Sequence, residues 1–128
     1  MIYIDTSVVL AHLLPETRRP DETIWQERLV SSRLLEYEVW NRIHAYKLAV
    51  SHSDKAQELI GRMLMVEMTD SVLGRAFHPF PVAVKTLDAL HLATIDFLRR
   101  RGREIELASY DNRMLAAAQA MGVPIASL

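Results

Sequence analysis

The 128-residue chain has no cysteine. That excludes a disulfide framework, thiolate zinc sites and cysteine nucleophiles, and it is compatible with a reducing cytoplasm. No apolar run approaches the ~20 residues of a membrane span. The opening segment Met1-Ile2-Tyr3-Ile4-Asp5 lacks the basic region and long apolar stretch of a signal peptide. There is no GxGxxG, no Walker loop and no nucleophile elbow, which argues against dinucleotide, ATP and serine-hydrolase chemistry. Charge of one sign is missing too. The formal net charge is −1, so overall charge does not advertise a nucleic-acid partner. Lysine is scarce: Lys47, Lys55 and Lys85 are the whole set among 15 basic residues, and the rest are arginine. Arginine forks onto phosphates and carboxylates, although arginine-rich codon usage accounts for the bias equally well.

What remains has the balance of a globular domain, with 50% apolar and 24% charged residues. The length fits one domain over residues 1–128. Ile2-Tyr3-Ile4 is short, apolar and β-prone and predicts a buried strand. Asp5-Thr6-Ser7 offers N-cap residues for a helix over 8–14. Residues 21–29 predict a weaker helix, 29–32 a strand and 34–50 a long helix. Ser53 or Asp54 is expected to cap another helix reaching Met65. Residues 66–68 predict a short strand and 70–76 a helical turn or two. Residues 86–101 predict a helix whose middle is apolar almost all round, and therefore buried on several sides. Gly102 should stop it. A strand over 104–109, an alanine-rich helix over 111–121 closed by Gly122, and a last strand over 123–126 complete the pattern. Pro15–Pro20 and His78–Pro81 read as proline-broken loops. Strands alternating with helices imply an α/β fold with a parallel sheet covered on both faces. In such sheets the functional crevice lies at the carboxyl ends of the strands.

Two carboxylates fall on that rim. Asp5 follows the first strand directly, and Asp111 lies two residues after the strand ending at Ser109. Asp88 starts the most buried helix, and Glu38 sits inside another largely apolar one; both are awkward places for an unpaired charge. Four converging carboxylates repel one another unless a cation joins them. Oxygen-only ligands suit a hard divalent ion such as Mg2+ or Mn2+. Each residue also has a plainer explanation. Asp5 and Asp111 can cap the helices after them, Asp88 can complement a helix dipole, and Glu38 has Arg42 four residues on. Convergence predicts that at least one of the four has a raised pKa. His91, three residues after Asp88, either accompanies the site or is a satisfied core histidine. His12, His44, His52 and His78 show no ligand spacing. Arg99, Arg100, Arg101 and Arg103 surround a helix end, where cations are favoured in any case. Tyr37, Trp40 and Tyr46 are expected to be packing residues.

Four segments together carry a family resemblance: Ile-Tyr-Ile-Asp-Thr-Ser at 2–7, Leu-Glu-Tyr-Glu-Val at 35–39, Thr-Leu-Asp-Ala-Leu-His-Leu-Ala at 86–93 and Ser-Tyr-Asp-Asn-Arg-Met at 109–114. They resemble the PIN domain, and more narrowly the VapC toxins of bacterial toxin–antitoxin pairs, over the whole chain and in order. The resemblance implies a three-layer α/β/α sandwich and a cytoplasmic Mg2+- or Mn2+-dependent endoribonuclease. It implies that Asp5, Glu38, Asp88 and Asp111 bind the metal and carry catalysis, with Glu36 a rival to Glu38. Asn112 would assist through its amide. Ser109 stands where family members often have Thr, which keeps the hydroxyl. The family further implies an RNA substrate, a cognate VapB-type antitoxin and a toxin homodimer, with no membrane association. Two alternatives compete. One is a catalytically silent PIN-like domain that binds RNA or protein. The other is a response-regulator-like phosphoacceptor, disfavoured because Asp5 stands without a second acid beside it and Lys85 precedes a helix.

Overall fold

The computed structural model describes residues 1–15 and 17–128. Four parallel strands form the sheet, in the order β3-β2-β1-β4: β1 (Ile2–Ile4), β2 (Leu29–Ser32), β3 (Met63–Val66) and β4 (Glu106–Ala108). β1 lies between two partners, with Tyr3 opposite Val30 on one side and Leu107 on the other. A strand paired on both edges and covered on both faces has to be apolar throughout, as Ile2-Tyr3-Ile4 is.

Among the described residues six α-helices surround the sheet: α1 (Thr6–Leu13), α2 (Arg33–Ala45), α3 (Ala49–Gly61), α4 (Asp70–Ala76), α5 (Thr86–Arg100) and α6 (Asn112–Ala120). The pleat divides the core in two. Ile4, Leu29, Met63 and Ala108 join α1, α2 and α3 through Val8, Val9, Leu35, Val39, Ile43, Leu59 and Ile60. Tyr3, Val30 and Leu107 face the other way, onto Leu92 and Ile95 of α5 and Met114, Ala117 and Ala118 of α6. This is the expected three-layer α/β/α arrangement, with α4 packed on α5. Each fully buried aliphatic side chain contributes about 1.5–3 kcal/mol.

Several local expectations need correction. The helix expected over 21–29 is only a 3₁₀ turn, Glu22–Gln26, with Asp21 accepting a hydrogen bond from the Thr23 amide. Leu29 belongs to β2 rather than to that helix. The single helix expected over 34–50 is two helices, because α2 ends in a left-handed turn at Lys47 (φ 56°). There the Lys47 amide donates to His44 O and the Leu48 amide to Ile43 O, the paired bonds of a Schellman closure. Ser53 and Asp54 therefore lie inside α3 rather than capping it. β3 comes three residues earlier than the strand expected over 66–68. The last strand is reduced to a single bridge, Leu107 with Ile125, on the free edge of β4; Pro124 has no amide hydrogen to extend the ladder. Of the loop expected over Pro15–Pro20, Glu16 lies outside the described residues.

The chain leaves β1 toward β2 and β3, then crosses to β4 on the opposite side of β1. The carboxyl ends of β1 and β4 therefore flank the point where the winding reverses, the place where parallel sheets open a crevice.

Candidate metal-binding active site

Asp5 leaves β1 at that point, and its amide donates to Ala108 O of β4 at 3.0 Å. It occupies the N-cap position of α1 but makes no side-chain cap hydrogen bond. Instead its Oδ2 accepts from Ser7 Oγ at 2.6 Å and from Ser109 Oγ at 2.8 Å, in a buried setting. Each hydroxyl is itself held by an amide: Tyr110 N donates to Ser7 Oγ, and Asp111 N donates to Ser109 Oγ, both at 3.0 Å. Both hydroxyl protons are thus committed to one carboxylate oxygen. Serine at position 109 does the orienting work expected of its hydroxyl.

Asp111 does cap its helix. Its Oδ1 accepts from Arg113 N at 2.9 Å and Met114 N at 3.4 Å. Glu38 reaches in from α2, where its Oε1 accepts from Thr6 Oγ1 at 2.8 Å and meets His91 Nε2 at 2.6 Å. Glu36, the rival, points elsewhere: it pairs with Arg33 at 2.7 Å, and Arg33 also holds Glu67 at 2.8 Å. Arg42, four residues after Glu38, lies over the Tyr46 ring rather than on the acid.

Asp88, in the first turn of α5, shows how the four acids relate. Its pKa is raised, first by burial and then by the negative charges of Asp111, Asp5 and Glu38, with His91 partly offsetting them. Burial accounts for the largest part of that shift, and the charges of the neighbouring acids add to it. The acids are close enough to act on one another through charge. Among the described residues, however, no three His, Asp or Glu side chains stand together as a ready-made metal cage. The donor set still suits a hard divalent ion, being all carboxylate with an excess of negative charge at Asp88.

The other sequence candidates are placed as follows. His91 is fully buried between Tyr3 and Glu38, so it both accompanies the acids and is satisfied in the core. Arg99, Arg100, Arg101 and Arg103 lie at the far end of α5; Arg99 and Arg103 there flank Met1 at the start of β1, on the rim opposite the acids. Asn112 is exposed at the start of α6. Tyr37 and Tyr46 are 65% and 55% exposed, so they are not packing residues as expected, whereas Trp40 packs against the α1–α3 core. Sequence reasoning missed Tyr3, Thr6 and Ser7 as partners of the acids. The run of hydroxyls directly after Asp5 was the available signal, but hydroxyl residues there also suit a helix start.

A PIN domain family model matches residues 2–120. The chain belongs to the PIN domain family. Among curated relatives, this PIN domain is 26% identical to Ribonuclease VapC47 of Mycobacterium tuberculosis, over 99% of this chain and 96% of the relative. It is 27% identical to Ribonuclease VapC35 of the same organism, over 98% and 95%. Among solved structures it is similar to a toxin–antitoxin complex from Klebsiella pneumoniae, with a TM-score of 0.69 at 15% identity and 94% of each chain covered. It is also similar to Mycobacterium tuberculosis VapC20, a sarcin–ricin loop cleaving toxin, with a TM-score of 0.68 at 19% identity, covering 91% of this chain and 95% of that one. These structural likenesses bear on the fold. No described helix of this PIN domain is long and apolar enough to cross a membrane.

Proposed function

We propose that this PIN domain is the toxin of a type II toxin–antitoxin pair, a single-domain, divalent-metal-dependent endoribonuclease whose site is Asp5, Glu38, Asp88 and Asp111. The observation that carries the site is that Asp88, whose pKa is raised first by burial, also feels the charge of Asp111, Asp5 and Glu38 near the reversal point of the sheet. Such mutual repulsion at a functional crevice is what a bound cation would relieve. The curated relatives named as ribonucleases, matched over nearly their whole length, support the activity. The neighbouring toxin–antitoxin complex supports an antitoxin partner. A cytoplasmic setting and a homodimer follow from the resemblance to VapC toxins.

Mg2+ or Mn2+, when bound, would neutralise phosphoryl charge and make a water easier to deprotonate. The chain's own residues do the positioning. Ser7 and Ser109 fix one oxygen of Asp5, and Thr6 and His91 fix one oxygen of Glu38, so both side chains enter the site already ordered. Among the described residues no hydrogen bond holds the Asp88 carboxylate, and burial followed by neighbouring negative charge raises its proton affinity. That suits its carboxylate to accept a proton. RNA would be held locally, because a protein with a net charge of −1 exerts little long-range attraction. Arg18, 4.8 Å from the ring centroid of Tyr110 beside Asp111, and Arg113 in the first turn of α6 are the candidates for that role.

Purified protein freed of antitoxin should cut structured RNA in Mg2+ or Mn2+ and stop on addition of a chelator. Cleavage that persists under chelation would refute the metal mechanism. A protein that binds RNA but leaves it intact would favour the silent binding module.

A further inference from the structure

Beside the buried face of α5 runs a chain of three polar groups that an apolar core does not need. Tyr3 Oη lies 2.7 Å from His91 Nδ1, and His91 Nε2 lies 2.6 Å from Glu38 Oε1. The three residues come from β1, α5 and α2, so the chain crosses from one layer of the fold to another. Tyr3 and His91 are almost wholly buried, and their rings meet edge to face at 5.8 Å.

The proton arrangement follows from the acceptors. Glu38 Oε1 already takes the Thr6 hydroxyl proton, so the nitrogen facing it must donate. In the tautomer with its proton on Nε2, the ring presents the Nδ1 lone pair to Tyr3. The phenol supplies its O–H there. Tyr3 thus selects the histidine tautomer, as assigned from the hydrogen-bond network, and the tautomer sets what His91 offers to Glu38. Both donors act on Oε1. Among the described residues, the other oxygen of Glu38 accepts no hydrogen bond.

Building on the acidic site proposed above, we infer that His91 and Tyr3 are positioning residues. They lock the rotation of the Glu38 carboxylate so that one oxygen is consumed inside the fold and the other stays available to a divalent cation. A histidine kept only to fill core space would need neither the carboxylate nor the phenol, and a leucine would fill that space without burying polar atoms.

Mn2+ binding to antitoxin-free protein, followed by electron paramagnetic resonance of the free ion, tests this directly. It requires no RNA. Wild type, Tyr3→Phe, His91→Leu and His91→Gln are compared, with circular dichroism and thermal melts confirming that each is folded. Glutamine can place an amide N–H near the position of Nε2. His91→Leu and Tyr3→Phe should weaken Mn2+ binding by about 10–100-fold, the usual cost of losing a group that orients a ligand. His91→Gln should recover a measurable part of the loss. At fixed subsaturating metal, kcat for RNA cleavage should fall with KM for RNA nearly unchanged. If His91→Leu does not fold, Tyr3→Phe, which removes a single oxygen, carries the test. A folded variant of either kind that binds Mn2+ within twofold of wild type overturns the inference while leaving the acidic site standing. A wild type that binds no Mn2+ overturns both.

Discussion

The two ends of α5 are built on opposite terms. At its carboxyl end the arginines are satisfied. Arg99 Nη1 donates to Met121 O at 2.9 Å, Arg100 pairs with Asp96 at 3.3 Å, Arg101 lies over the Phe97 ring, and Gly102 takes the left-handed turn that closes the helix. Positive charge there also suits the helix dipole. At its amino end Asp88 suits the dipole as well, yet burial and three like charges work against it. One end has been settled for stability. The other has been left in tension, and such tension concentrates where a protein acts.

Substitutions should separate the two ends by what they damage. The largest effect belongs to the acidic end. Asp5→Ala and Asp88→Ala should each lower RNA cleavage by more than about a hundredfold, beyond the loss expected for a supporting group, with the circular dichroism spectrum of a folded protein. Glu36→Ala removes only a partly exposed ion pair and should leave cleavage unchanged. An inactive Glu36→Ala beside an active Glu38→Ala would show that the wrong face of α2 has been assigned.

The basic end should lose stability without losing activity. A Cβ added at Gly102 meets nothing within 4 Å, so Gly102→Ala isolates the backbone cost of φ 82°. It should destabilise by about 1 kcal/mol, read from urea melts, with cleavage kept. A loss of cleavage at wild-type stability would mean that the two ends are coupled.

Asp88→Asn should give the smallest change, but its sign is the most telling. A carboxyl with a raised folded-state pKa favours the native state fully below its unfolded pKa. That contribution is lost as pH climbs through the folded value, and the penalty is complete above it. Removing the charge should therefore raise the metal-free melting temperature at neutral pH, and the advantage should shrink as pH falls toward the ordinary carboxylate range. Thermal melts from pH 4 to 8 would detect this. A variant less stable than wild type at neutral pH would show that the dipole outweighs the repulsion.

Much of this was readable from the chain because local chemistry and tertiary role coincided. Gly102 and Gly122 both announce helix ends, and both take positive φ there. Lys47 makes the same kind of closure without announcing it, since the left-handed region is disfavoured for a side chain with a Cβ, and so two helices were merged into one. The positions of the four acids were legible, one after each of two strands and two on helices; their hydrogen-bond partners were not. Aspartate serves equally as helix cap and as site ligand, and only the hydrogen bonds separate Asp5, held by two serines, from Asp111, which caps α6. The link from Tyr3 through His91 to Glu38 joins residues 88 and 53 positions apart. No local pattern encodes such a pairing.

The adjacency of β1 and β4 also ties the site to distant parts of the chain. Of the four described strands β1 is the earliest in the sequence and β4 the latest, yet they lie side by side. The chain through α5 carries Asp5, Glu38 and Asp88. It has neither the Ser109 hydroxyl that fixes Asp5 nor Asp111 itself, because both follow β4. A chain lacking β4 therefore holds three of the acids without the strand that leads into Ser109 and Asp111. For the site proposed above, displacing β4 would take away both the fourth acid and a hydroxyl that orients the first.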